Sequence, residues 1–119
     1  MGKTTIIKRT LSVVIPTHNR IHLLKQLLQQ INSQKPNLKN WDIAIIVVVA
    51  GSTDGTNEIL KNQFPEVEVV NGDNTWWYTK SMNMCFSYLQ KLQPDVVLTL
   101  NDDVVLDKDY LIKILMPLE

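Results

Sequence analysis

The fold is decided by the stretch Asp42-Ile43-Ala44-Ile45-Ile46-Val47-Val48-Val49, which is apolar without interruption from its second residue onward. An alternation of apolar and polar residues would indicate a strand with one wet face. A continuous apolar run instead indicates burial on both faces, which is typical of a parallel sheet covered by helices. The run is far too short to cross a bilayer. It therefore predicts a buried strand of an α/β fold.

Strand-like and helix-like segments alternate on both sides of this run. Short β-branched runs predict the other strands, and apolar stripes at helical spacing predict the helices. The order predicts βαβ units in a Rossmann-like, mainly parallel sheet of strand order 3-2-1-4, with helices on both faces. The predicted strands are 11–15, 42–49, 66–70 and 95–100, and the predicted helices are 20–33, 56–63, 79–92 and a last one from Asp107 or Lys108.

Local signals set the expected ends of these elements. Pro16 should stop the first strand, and Lys35-Pro36-Asn37 should end the first helix. Ser52 or Thr53 can cap the second helix, and Asp54 favours its first turn. A turn is expected at Asn71-Gly72-Asp73-Asn74. The third helix should turn Met82, Cys85, Phe86 and Leu89 inward, and the last helix carries Leu111, Ile112 and Leu115.

Composition narrows the class of protein. A chain of 119 residues supports one hydrophobic core, so residues 1–119 are expected to form a single domain. Twelve basic residues balance twelve acidic ones, which gives no reason to expect a nucleic-acid partner. The lone Cys85 cannot form an intrachain disulfide and suits a reducing compartment. The basic start of the chain has no sustained apolar stretch and is not a signal peptide, so the expected location is the cytoplasm.

Three polar segments are expected at one edge of the sheet. Ligands of open parallel sheets sit beyond the carboxyl ends of the strands, where 16–20, 50–55 and 101–103 should project. The adjacent carboxylates Asp102 and Asp103 suit a hard divalent cation, Mg²⁺ or Mn²⁺, completed by waters and substrate phosphates. A polar turn that caps the following helix is the alternative.

Three motifs in order give a family resemblance. The chain resembles the N-terminal region of family 2 glycosyltransferases of the GT-A fold, from about residue 11 to residue 116. One stretch before the third helix is also similar to that of rhamnosyltransferase-like members. The motifs are Val13-Val14-Ile15-Pro16-Thr17-His18-Asn19-Arg20, then Gly51-Ser52-Thr53-Asp54-Gly55-Thr56, then Leu100-Asn101-Asp102-Asp103, and the additional stretch is Gly72-Asp73-Asn74-Thr75-Trp76-Trp77-Tyr78-Thr79-Lys80-Ser81-Met82-Asn83.

The resemblance implies transfer of a sugar from a metal-bound nucleotide-diphosphate donor to a hydroxyl of a glycan or lipid-linked acceptor. It also implies inversion at the anomeric carbon and a role in polysaccharide or glycan synthesis. In the family, the general base and the acceptor site lie in the half that follows this region. The chain is therefore expected to be truncated before that half and to be inactive alone. Peripheral association with the inner face of the membrane, through regions outside this chain, stays open.

The resemblance also assigns residues at the carboxylate end of the site. Asp103 would coordinate the metal, and Asp102 would support the metal, the ribose or the donor sugar. Asn101 stands where many members carry the first acid of the motif. Arg20 either pairs with a phosphate or simply opens the first helix.

Other donor contacts are implied around the first strand and the third helix. Pro16, Thr17 and His18 match the loop that holds the base and ribose, and Lys80 and Asn83 would face the diphosphate and sugar. Trp76 and Trp77 either line the cleft or pack on the sheet edge. Two alternatives concern single side chains: His18 and His22 could share a helix face as metal ligands, and Asp54 could be a helix cap rather than a donor contact.

One departure from the family weakens base recognition. Relatives commonly carry acids just before the Gly-Ser pair, where this chain has Val49 and Ala50. A non-catalytic nucleotide-sugar-binding module or inactive fragment is therefore the alternative function. A Rossmann dehydrogenase ranks far behind, because Pro16-Thr17-His18-Asn19 stands where a G-x-G-x-x-G motif would follow the first strand.

Overall fold

A computed structural model describes residues 8–72 and 78–118. Four parallel strands form one sheet in the order β3-β2-β1-β4, which confirms the predicted topology. The elements are β1 Arg9–Thr17, α1 Ile21–Gln34, β2 Trp41–Ala50, α2 Thr56–Gln63, β3 Glu68–Gly72, α3 Tyr78–Leu92, β4 Val96–Thr99 and α4 Tyr110–Leu115, with short 3₁₀ turns at Lys35–Asn37 and Met116–Leu118.

The core lies on both faces of the sheet, as the apolar run of β2 predicts. Ile45 and Val47 of β2 belong to a cluster that also takes apolar side chains from α1, α2 and α4. Ile46 and Val48 point the other way, into a smaller cluster with α3. Successive strand residues face opposite sides, so β2 can be apolar throughout only because helices cover both faces.

Pro16 does not stop the first strand, contrary to the prediction. It pairs with Val48 inside the β1–β2 ladder. The backbone polar groups of Val14 point toward β4, because its carbonyl accepts a hydrogen bond from the Leu100 amide at 2.9 Å. Pro16 has the same parity as Val14, and the β1–β4 pairing ends at Val14. The backbone nitrogen of Pro16 therefore points past the end of β4. Because β4 offers no partner there, its lack of an N–H removes no ladder bond.

The predicted inward face of α3 is wrong at one position. Met82, Cys85 and Leu89 are buried, but Phe86 is 44% exposed. The buried face of α3 is narrower than expected, because within the described residues this helix contacts mainly β1 and β2. Phe86 lies about 100° around the helix from Cys85 and so falls outside that face. Burial raises the pKa of the Cys85 thiol, which agrees with an inert, core-forming side chain.

The bounds of β3 and the start of α4 also differ from the predictions. β3 runs to Gly72, so Asn71 and Gly72 lie in a strand that pairs with the end of β2 rather than in a turn. α4 begins at Tyr110, later than expected, after the 107–109 segment. The rest of the predicted turn, Asp73 and Asn74, lies outside the described residues. Among the helices of 8–72 and 78–118, none is long and apolar enough to cross a membrane.

Candidate functional site

The two carboxylates sit in a turn directly beyond β4. The last link between β4 and β1 is the bond from the Leu100 amide to the Val14 carbonyl, after which the chain turns and the Val104 amide donates to the Asn101 carbonyl at 3.3 Å. Within this turn Asp102 is buried, at 6% exposure. The Asp103 side chain is 52% exposed. One carboxylate therefore faces the interior of the fold and the other faces solvent.

Asp102 is held by the end of β1. The Thr17 hydroxyl donates to Asp102 Oδ2 at 2.8 Å, and both side chains are buried. Arg20 Nη1 donates to Asp102 Oδ1 at 3.3 Å. A buried carboxylate requires such partners, since leaving it unpaired would be costly. The loop after β1 and the turn after β4 thus meet at the crevice where the order of strands reverses, the usual ligand position in such sheets.

Arg20 lies between the two carboxylates. Its Nη1 atom is 3.3 Å from Asp102 Oδ1 and 3.5 Å from Asp103 Oδ2. Arg20 also directly precedes α1 as its N-cap residue, without a side-chain capping bond. The ion pairing with Asp102 and Asp103 was not predicted, because it joins positions far apart in sequence.

Asn19 fastens the loop after β1 to the loop after β2. Its backbone adopts the left-handed region, with φ of 51°. The Asn19 amide donates to Ser52 Oγ at 3.0 Å, and Asn19 Oδ1 accepts from the Thr53 amide at 2.7 Å. Ser52 and Thr53 therefore do not cap α2, contrary to the prediction: its N-cap residue is Gly55, at φ of 83°, which has no side chain to make a capping bond. Their polar groups are used by Asn19 instead.

Asp54 joins the starts of two helices. Its Oδ2 accepts from the Ile21 amide of α1 at 3.1 Å, and its Oδ1 accepts from the Thr56 amide of α2 at 3.3 Å and from the Thr56 hydroxyl. Desolvation raises the pKa of Asp54, but the Thr56 side chain and the backbone donors outweigh it, and the pKa lies below its ordinary value. The prediction that Asp54 favours the first turn of α2 fits these bonds, which also tie α2 to α1.

The lowered pKa of Asp54 gives a pH-dependent stability. A carboxyl whose folded pKa lies below its unfolded value stabilises the fold above the unfolded pKa, about 4, and loses this contribution as pH falls through the folded pKa. Asparagine has one acceptor oxygen where Asp54 uses two, so we expect Asp54→Asn to lower the free energy of unfolding by about 1 kcal/mol at pH 7. The difference from the parent chain should shrink below about pH 4. Urea unfolding at several pH values measures this, and a constant difference between pH 3 and pH 7 would contradict it.

His18 closes over the end of β2. Its Nδ1 lies within hydrogen-bond distance of the Ala50 carbonyl, which can only accept, so Nδ1 carries the proton. Nε2 lies 3.4 Å from Asn19 Nδ2 and can accept from it. The alternative of a His18–His22 metal pair on one helix face is wrong, because His18 lies in the loop before α1 begins at Ile21.

Two glutamines of α1 hold the segment that follows the carboxylates. Gln34 is 4% exposed; its Nε2 donates to the Asp107 carbonyl at 2.8 Å, and its Oε1 accepts from the Leu111 amide at 2.9 Å. Gln30 Oε1 accepts from the Leu106 amide at 2.6 Å. These residues were missed from sequence. The signal available in the sequence was their spacing: Gln30 and Gln34 are four positions apart, so they lie on one side of the helix near the end of its apolar stripe.

Lys80 and Asn83 lie in the first turns of α3, both exposed. α3 follows β3, so its start lies toward the same edge of the sheet as the carboxylates. Trp76 and Trp77 lie outside the described residues. Among residues 8–72 and 78–118, no three His, Cys, Asp or Glu side chains group as a metal site would require. A metal at Asp102 and Asp103 could take its further ligands from water and from a bound phosphate, as Mg²⁺ and Mn²⁺ commonly do.

A family model decides the assignment. The model described as "Glycosyl transferase family 2" matches residues 12–119. The chain belongs to family 2 of the glycosyltransferases. Its four-stranded parallel sheet is the Rossmann-like half of a GT-A fold. No curated protein sequence matches the chain.

Solved structures share the fold at low sequence identity. A mannosyltransferase from Pyrobaculum calidifontis, in complex with GDP-Man and Mn²⁺, is 21% identical with a TM-score of 0.64, over 91% of this chain and 32% of that one. Glucosyl-3-phosphoglycerate synthase from Mycobacterium tuberculosis, in complex with Mn²⁺, UDP and glucosyl-3-phosphoglycerate, is 22% identical with a TM-score of 0.65, over 92% and 39%. A 4-diphosphocytidyl-2C-methyl-D-erythritol synthase gives 15% and 0.71, over 92% and 54%.

These similarities place the fold rather than the reaction. The synthase of 4-diphosphocytidyl-2C-methyl-D-erythritol has the highest TM-score of the three without being named a glycosyltransferase. The chain spans between 32% and 54% of the length of these structures. The family membership of this glycosyltransferase chain thus comes from its sequence, and the roles of its residues have to be argued from their geometry.

Proposed function

We propose that residues 1–119 form a single nucleotide-sugar-binding domain, the donor-binding part of a sugar-transferring enzyme. One observation carries the proposal: a buried carboxylate, Asp102, and an exposed one, Asp103, stand together beyond β4, facing the end of β1. In parallel sheets this crevice is where ligands bind. A nucleotide-diphosphate sugar supplies the phosphates that such a pair needs to complete a divalent cation's shell.

The donor set at the carboxylates fits Mg²⁺ or Mn²⁺. Asp103 is half-exposed, and its carboxylate pairs with Arg20 at 3.5 Å. Both Asp102 oxygens already accept hydrogen bonds, yet each oxygen has further lone pairs. We therefore assign Asp103 as the main ligand and Asp102 as its support. A cation held there would neutralise charge on the leaving nucleoside diphosphate.

The remaining donor contacts are proposed along the same edge. Pro16 and Thr17 end β1, His18 follows them, and these three residues would border the base and ribose. The His18 ring offers a stacking face, and its pinned Nδ1–H leaves Nε2 as the acceptor. Arg20 is placed near the diphosphate, and Lys80 and Asn83 approach from the start of α3.

The complete reaction is proposed as transfer to a hydroxyl of a glycan or lipid-linked acceptor with inversion, in polysaccharide or glycan synthesis. Inversion requires a general base that takes the acceptor proton. That base and the acceptor site are proposed to lie outside residues 1–119, so this chain alone should not turn over. A cytoplasmic location, with contact to the inner face of the membrane through regions outside this chain, suits such a substrate.

Metal-dependent nucleotide binding tests the proposal. Calorimetric titration of the chain with UDP, dTDP and GDP, each with Mn²⁺ and with EDTA, should show binding of at least one nucleotide that requires Mn²⁺. The corresponding nucleosides are the control, because they lack the diphosphate and should gain nothing from Mn²⁺. Equal affinity with Mn²⁺ and EDTA for every nucleotide would contradict the proposal.

A non-catalytic binding module is the second candidate, and one observation favours it. Val49 is fully buried and Ala50 carries only a methyl group, so neither side chain can hydrogen-bond to a base edge. A module of this kind should bind nucleotides without preference for the base. A preference of tenfold or more for one nucleotide in the same titrations would favour the transferase.

A further inference from the structure

The cation nearest to the carboxylate pair belongs to the protein itself. Arg20 Nη1 contacts one oxygen of Asp102 and one of Asp103, at 3.3 and 3.5 Å. The two aspartates carry two negative charges and Arg20 carries one positive charge, since a guanidinium stays protonated in proteins. A net charge of about −1 therefore remains at the cluster.

The backbone fixes this placement from several sides. The Leu24 amide donates to the Arg20 carbonyl at 2.9 Å, at the start of α1. The following residue, Ile21, is held through its amide by Asp54 at 3.1 Å. Arg20 is thus carried on a helix start that is tied to the neighbouring loop. From this fixed backbone position its half-exposed guanidinium reaches both carboxylates.

The two aspartates depend on Arg20 to different extents. Asp102 is buried and has a second partner, the Thr17 hydroxyl at 2.8 Å. Asp103 is half-exposed and pairs with Arg20 at 3.5 Å. If Arg20 moved away, Asp102 would keep a buried donor, whereas Asp103 would lose this partner and be more available to another cation.

We propose that Arg20 is a built-in counter-cation that opposes divalent metal binding at Asp103. A metal ion on that carboxylate would stand within a few ångströms of the guanidinium, and the repulsion between them weakens metal binding. A diphosphate relieves this repulsion, because it can pair with both cations. Arg20 thereby makes the metal bind weakly alone and more tightly with a diphosphate. The inference rests on the proposed metal site at Asp103 and adds to it a residue that couples metal to donor.

Binding of Mn²⁺ alone tests the inference. It is measured as the loss of the electron paramagnetic resonance signal of free Mn²⁺. Arg20→Gln should raise the affinity for Mn²⁺ by roughly three- to fivefold, the upper part of the range expected for one exposed charge pair. Pyrophosphate should then raise Mn²⁺ affinity less in Arg20→Gln than in the parent chain. Lys108→Gln makes an equal charge change at an exposed residue that follows Asp103 by five positions. It should leave the Mn²⁺ affinity and the effect of pyrophosphate within about twofold of the parent's.

Failure of the inference can be told from failure of the metal site. If Asp103→Asn removes Mn²⁺ binding but Arg20→Gln binds Mn²⁺ no better than the parent, only the inference is overturned. If Asp103→Asn binds Mn²⁺ as well as the parent, the proposed site itself fails.

The parent chain offers a test that does not depend on a folded variant. Mg²⁺ should speed the exchange of the Arg20 guanidinium protons with solvent, observed by NMR, because it draws Asp103 away from them. Unchanged exchange at saturating Mg²⁺ would overturn the inference.

Discussion

Replacement of Asp103 with asparagine is expected to lower the Mn²⁺-dependent affinity for a nucleoside diphosphate by roughly a hundredfold, the size of effect that a lost charged metal ligand produces. An amide oxygen is a poorer ligand for a hard cation than a carboxylate, and Asp102 already accepts bonds from Thr17 and Arg20. Thermal stability should change little. The Asp103–Arg20 pair is half-exposed on both sides, and such pairs are worth about 0–1 kcal/mol.

Titration of Asp103→Asn with the nucleotide that binds the parent chain best measures this effect. Asp107→Asn is the matched control: the same chemical change four residues further on, at an exposed side chain. It should keep the parent's affinity within about twofold, since its charge lies in solvent. If Asp107→Asn and Asp103→Asn weaken binding equally, the effect is one of general charge and Asp103 is not a ligand.

The topology could be predicted because the burial of a strand restricts which residues it contains. A strand covered on both faces has to be apolar at every position, and 43–49 shows this in a short window. The confirmed strand order 3-2-1-4 then brings the ends of β1 and β4 side by side. The meeting of Thr17 with Asp102 follows from that order, although 85 residues separate them.

Departures from the predictions arose where a neighbour decided the outcome. Pro16 remains in β1 because β4 stops short of it, and a propensity scale contains no information on the length of a partner strand. Phe86 is exposed because α3 contacts a narrow part of the sheet. Ser52 and Thr53 are diverted from capping by Asn19, which comes from another loop.

The pairing of Arg20 with the carboxylates shows the same limit within the site. Each of Arg20, Asp102 and Asp103 could be selected from its motif, but their partners could not. The motif makes Arg20 a candidate for a phosphate contact or for the first residue of a helix. In the fold it also pairs with two protein carboxylates. A motif identifies which side chains reach the edge of the sheet, whereas the distances between them depend on how the loops are fastened.

Replacement of Gln34 with alanine is expected to lower the free energy of unfolding by about 2–3 kcal/mol, because two backbone groups lose their partner in a largely buried place. Gln34 accepts from the Leu111 amide and donates to the Asp107 carbonyl. The melting temperature should fall by roughly 10 °C for a domain of this size. The same bonds hold the segment between the carboxylate turn and α4, so metal-dependent nucleotide binding should also weaken.

The exposed Gln29 on the same helix supplies the control. Gln29→Ala makes the same truncation at a solvent-facing position and should shift the melting temperature by no more than a few degrees. Calorimetric melting of both variants, with nucleotide titration below the transition, separates stability from positioning. If Gln34→Ala melts like Gln29→Ala, the two bonds contribute nothing to the fold. If Gln34→Ala is destabilised but binds nucleotide as the parent does, the carboxylate turn holds its place without the Gln34 bonds, through the bonds of Asp102 to Thr17 and Arg20.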